Sequence, residues 1–135
     1  LRALRARARP ERVTVGQPSE RRMGADALVQ FATTIVNSGS EPIEIDRAQF
    51  QVDGDGTPLE LVTAATRPGY YGSLADRCGV TGAWLGEHVQ VLPGQTATGA
   101  VCFRRPAATA TPLVRVTYGD AAAPAFSGHY LLASI

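Results

Sequence analysis

The sequence contains no lysine, and all thirteen of its basic residues are arginine. Such one-sided usage reads first as the codon bias of a GC-rich genome, so it does not show that guanidinium geometry was selected at any one site. Long apolar runs are also missing. The longest span only a few residues, against the roughly 20 that a membrane-crossing helix needs. No segment has the charged, apolar and small-residue layout of a signal peptide. The chain begins at Leu1 rather than Met, which predicts a product processed or trimmed from something longer. No stretch sustains a 3.6-residue apolar period and there is no internal repeat, which argues against helical bundles and solenoids.

Catalytic and metal-binding patterns are equally sparse. There are two histidines, His88 and His129. Ser127 stands two residues from His129, but no third, orienting group is evident and no Gly-x-Ser-x-Gly elbow occurs. The expectation is a chain without catalytic residues, with no hydrolase activity dependent on His129. Two cysteines fall short of the four ligands of a structural zinc site. Asp53-Gly54-Asp55-Gly56 could open a calcium loop, but position twelve of such a loop is Ala64 rather than Glu. A hairpin turn is the better reading. No metal and no cofactor are expected.

What is present is a series of short alternating segments within 135 residues, room for one core. Val29, Phe31, Thr33 and Ile35 alternate with Gln30, Ala32 and Thr34 over Ala27–Asn37, the pattern of a half-buried strand. Asn37-Ser38-Gly39-Ser40-Glu41-Pro42 supplies a turn in which Gly39 is free to take positive φ. Ile43 and Ile45 continue, but the parity shifts before Phe50 and Val52, which predicts a bulge or strand break near Arg47-Ala48. Asp53–Gly56 closes a hairpin into Leu59–Val62. Further strands are expected at Arg12–Val15, at Val89 and Val91, at Thr96–Arg104, at Val114–Tyr118 and at Ser127–Ile135, with Gln17–Gly24 a polar connection. Short strands separated by Gly/Pro turns predict an all-β antiparallel sandwich. Its core is expected to hold Val29, Phe31, Ile35, Phe50, Val52, Val91, Val101, Phe103, Val114 and Val116.

The order of these motifs resembles a known family. Asn37-Ser38-Gly39-Ser40-Glu41-Pro42-Ile43 is followed by Phe50-Gln51-Val52-Asp53, then Leu92-Pro93-Gly94-Gln95-Thr96 and Gly99-Ala100-Val101-Cys102-Phe103. Over about Leu28–Tyr118 the chain is similar to the immunoglobulin-like domains of actinobacterial lipoproteins and secreted antigens, the fold of the mycobacterial immunoprotective extracellular antigen. The resemblance implies an immunoglobulin-like β-sandwich, exported and often tethered to the membrane. It implies no functional residues, because its motifs are turn and core positions.

Charge is unevenly placed. Residues 1–22 carry seven Arg against Glu11 and Glu20, a balance of +5; the other 113 residues carry six Arg against ten carboxylates, a balance of −4. Residues 1–12 read as a basic arm, with 13–135 as the sandwich. Arg5, Arg7 and Arg9 are candidates for contact with a partner or a membrane surface. Without interleaved aromatics, nucleic acid is not an expected partner. The irregular stretch Thr66–Glu87 holds five Gly. Tyr70, Tyr71 and Trp84 there are either a binding patch or the stretch's own small core.

In an exported domain, Cys78 and Cys102 are expected to form a disulfide. With Val101 and Phe103 inward, alternation puts Cys102 on the sheet face opposite the core, so the bond would pin the irregular stretch across that face. The function expected is that of a non-enzymatic extracytoplasmic interaction or accessory domain with a protein partner in the cell envelope. A small-ligand or metal carrier using residues 66–87 is the alternative.

Overall fold

Twelve strands and one 3-10 turn make up the computed structural model, which describes residues 11–134 except 24–25, 55, 63–83, 87, 107–112 and 121. In chain order they are β1 (Glu11–Val15), β2 (Ser19–Met23), β3 (Asp26–Asn37), β4 (Ile43–Asp46), the 3-10 turn Arg47–Gln49, β5 (Phe50–Gly54), β6 (Thr57–Pro58), β7 (Glu60–Leu61), β8 (His88–Val91), β9 (Thr96–Pro106), β10 (Leu113–Asp120), β11 (Ala123–Leu131) and β12 (Ala133–Ser134). One sheet runs β12-β2-β3-β9-β7, with β1 beside the far half of β3. The second runs β11-β10-β5-β6, and β4 pairs with β8 in a two-stranded ribbon. All strand pairs are antiparallel except β12 with β2.

The period-two residues meet between the sheets. All ten expected core residues are buried, and nine of them join Ile45, Leu85 and Tyr118 in one cluster. The chain is an antiparallel β-sandwich of the immunoglobulin-like kind.

Where the apolar parity shifts, the chain changes sheets. Asp46 caps the 3-10 turn, its Oδ1 accepting from the Ala48 N–H at 2.8 Å, and the turn carries the chain from the β4–β8 ribbon to β5. The expected strand break is therefore a one-turn helix. After β5 the hairpin also splits. Gly56 (φ +76°) turns the chain into β6, which pairs with β5, but Glu60 and Leu61 then cross to pair with β9 in the opposite sheet.

Three expectations need correction. Gln17–Gly24 is not merely a connection, because Ser19–Met23 forms β2 along β3; Ser-Glu-Arg-Arg-Met has no apolar alternation, so the strand left no pattern to read. The first strand begins at Glu11, inside the stretch read as the arm. Gly39 does not use a positive φ. Its N–H is instead accepted by Asn37 Oδ1 at 2.9 Å, an Asx turn.

Asn37 ties two turns together. Its Nδ2 donates to the carbonyls of Glu41 (2.8 Å) and Val91 (2.9 Å). Its backbone N–H donates to Gln95 O, and its carbonyl accepts from Gly94 N–H. Leu92–Gln95 closes with Gln95 N–H on Leu92 O at 2.9 Å, with Pro93 at the second position and Gly94 (φ +79°) at the third, as a type II turn requires.

Candidate functional site

Strand β9 has β3 on one side, and its other edge receives two short pieces of chain. Glu60 and Leu61 pair with Arg104 and Phe103, and the Val62 N–H reaches Cys102 O at 2.9 Å. One step further along, Trp84 makes a parallel bridge to Ala100, and the Leu85 N–H donates to Ala100 O at 3.0 Å. Val62 and Trp84, 22 positions apart in sequence, therefore lie on one strand edge, at Cys102 and Ala100. Covering that edge also removes unpaired backbone groups from a long strand.

Trp84 and Leu85 grip the strand from its two faces. Leu85 is buried in the main core, and its carbonyl accepts from the buried Arg47 Nε at 2.8 Å. Half-buried Trp84 packs on the opposite face against a second cluster made of Leu28, Val62 and Cys102. The Trp84–Leu85 backbone lies so close over Gly99 that a Cβ there would stand 2.4 Å from Leu85 N. Gly99→Ala is therefore expected to push this piece off the strand and cost about 1–3 kcal/mol. Trp84 is the only tryptophan, so its fluorescence reports the displacement; an unchanged spectrum with unchanged stability would contradict this account.

Alternation places Cys102 opposite Val101 and Phe103, the face expected from the sequence. That face is not bare. Cys102 is fully buried under Leu28, Val62 and Trp84, and it is not a free thiol. Glu60 and Arg104 add an ion pair at 2.7 Å beside it. Leu28, Val62, Leu85, Gly99 and Arg47 were not singled out as part of this region in the sequence. One readable signal was Leu28 next to Val29, apolar residues on both parities of a single strand.

Of the other candidates, Arg5, Arg7, Arg9, Tyr70, Tyr71 and Cys78 lie outside the described residues. Trp84 is in place, but as part of the second cluster with only part of its surface open. His88 is exposed, with Nδ1 3.3 Å from Asp46 Oδ2. His129 is exposed on β11, and Ser127 Oγ is engaged by Arg115 Nε at 3.3 Å. Among the described residues no three His, Cys, Asp or Glu side chains come together to hold a metal. No helix among them is long and apolar enough to cross a membrane.

No family model matches the chain, and no curated protein matches it significantly. Solved structures do. The yjhA protein from Bacillus subtilis superposes with a TM-score of 0.54 at 13% identity, over 93% of each chain. A "putative lipoprotein" (ycdA) from Bacillus subtilis subsp. subtilis gives 0.57 at 12% identity, over 91% of this chain and 38% of the other. The likeness is one of fold. This chain spans well under half the length of ycdA, and both neighbours are Bacillus proteins rather than the actinobacterial antigens that the turn motifs resemble.

Proposed function

We propose that this chain is a non-enzymatic extracytoplasmic accessory domain that engages a protein partner of the cell envelope through residues 63–83, Tyr70 and Tyr71 among them. The observation that carries this reading is that Val62 and Trp84, which bracket those residues in sequence, are both fixed on one edge of β9, at Cys102 and Ala100. A segment held at its base loses less freedom when a partner engages it, so less of the contact energy is spent on ordering. The "putative lipoprotein" among the fold neighbours supports the compartment. In this reading Cys102 bonds Cys78, closing a loop of about 25 residues, worth on the order of 3 kcal/mol in the chain-entropy model. Such a bond persists only under oxidising conditions.

Thiol titration of the unfolded protein tests the bond. No reactive thiol is expected before reduction and two after it; two before reduction would remove both the bond and the inference of export. In cells that make the natural protein, a membrane-impermeant label should reach it. Recovery as an unlabelled cytosolic protein would overturn the compartment.

A further inference from the structure

The outer face of the four-stranded sheet carries an unusual row. Asp53 on β5, Arg115 on β10 and His129 on β11 are direct cross-strand neighbours, about 5 Å apart from strand to strand. Despite this adjacency, no ion pair joins Asp53 to Arg115. Arg115 turns the other way, its Nε donating to Ser127 Oγ on β11 at 3.3 Å. Among the described residues the Asp53 carboxylate has no hydrogen bond or ion pair, and that bond to Ser127 is the only one the Arg115 guanidinium makes. A groove of about 230 Å³ opens between them, lined also by Gly56, Leu113 and Val114. Leu113 is 47% exposed at its edge, and the cross-strand neighbour Leu131 stands out from the same face, 66% exposed.

A protruding leucine thus sits beside a groove with room for one side chain, and an unpaired anion sits beside an unpaired cation. This face is complementary to itself in shape and in charge. We propose that its occupant is a second copy of this chain, related by a two-fold axis. Leu131 of each copy enters the groove of the other, and Asp53 of each meets Arg115 of the other. A two-fold contact requires that pattern, since residue i on j implies j on i. The face lies on the sheet opposite the base of segment 63–83, so the proposal does not rest on the function proposed above.

Sedimentation of the purified chain tests it, with Asp53→Arg and Arg115→Asp as probes. Both positions lie on the outer face of the sheet, and circular dichroism checks that each variant folds. The unaltered chain is expected to sediment as a dimer at micromolar concentration. Each reversal puts like charges together at both symmetric positions. A tenfold loss at each position multiplies to about a hundredfold rise in the dissociation constant, leaving monomers. Mixing the two variants should restore dimers, because each then supplies the charge the other lacks. The proposal is overturned if the unaltered chain is monomeric throughout, if either folded variant dimerises as before, or if the mixture stays monomeric. It is overturned equally if this face binds an envelope peptide while the chain itself remains a monomer.

Discussion

Phe103→Ala is expected to lower the free energy of unfolding by about 3–5 kcal/mol, a large part of the roughly 5–15 kcal/mol that holds a domain together. Phe103 is 1% exposed and lies stacked on Phe31, with ring centroids 6.1 Å apart and planes 12° from parallel. Phe31 meets Phe50 edge-on at 5.7 Å, and Phe50 meets Tyr118 at 4.6 Å. Phe31 and Phe103 come from one sheet, Phe50 and Tyr118 from the other, so these rings are where the two layers interlock. Removing Phe103 leaves a hole in a wall of rings and β-branched side chains on short, hydrogen-bonded strands, which cannot easily collapse to fill it. Urea unfolding of Phe103→Ala beside Leu92→Ala measures the effect. Leu92 is 43% exposed, and its truncation should stay within about 0.5 kcal/mol. A loss below about 1 kcal/mol for Phe103→Ala would mean that the rings do not carry the inter-sheet packing.

The sandwich was legible because its long strands have one face in the core and one toward water, and that asymmetry writes a period of two into β3, β5, β9 and β10. The signal fails wherever that cause is absent. Strand β2 lies between β3 and the two-residue β12 and turns Glu20 inward rather than an apolar residue. Strands β6 and β7 are two residues each and too short for any period. Leu28 and Cys102 are buried on what should be the outer face because residues 62 and 84, distant in sequence, come to lie beside them.

The candidate site divides along the same line. The facing of Cys102 followed from alternation within one strand. The convergence of Val62 and Trp84 on its flanks is a tertiary contact with no local pattern behind it. Gly99 carried a hint, since a glycine inside a strand often marks close approach of another backbone, but nothing in the sequence named the backbone. Asn37 is similar: Asn-Ser-Gly announced a turn, while its hydrogen bond to the Val91 carbonyl, 54 residues on, was invisible.

A second large effect is expected where a charge is buried. The Arg105 side chain is 3% exposed and that of Glu20 11%. Arg105 Nε donates to Glu20 Oε2 at 2.6 Å, and Nη2 donates to the same oxygen. Arg105 shares the inward parity of Val101 and Phe103, and its neighbour across the ladder is Ala27, small enough to let the guanidinium pass over β3 toward β2. Glu20 faces inward only because of a one-residue bulge. Val15 pairs with Thr33 but Ser19 with Gln30, so four steps along the β1–β2 edge match three along β3. Without the extra residue, Ser19 and Arg21 would face inward instead, bringing a second guanidinium toward Arg105. The pair therefore selects the bulged register. Arg105→Met, which strands a buried carboxylate, is expected to cost about 3–5 kcal/mol, and Glu20→Met a similar amount. The double replacement should recover most of the loss, because two apolar side chains can fill the site without desolvating any charge. Hydrogen exchange gives the register its own readout: the double variant, stable but freed from the charge constraint, should lose protection selectively over residues 19–23. Single losses under about 1 kcal/mol that simply add in the double variant would show the two charges to be uncoupled. Unchanged protection over 19–23 would show that the bulge is set by something else, with Gly16 and Pro18 the residues to alter next.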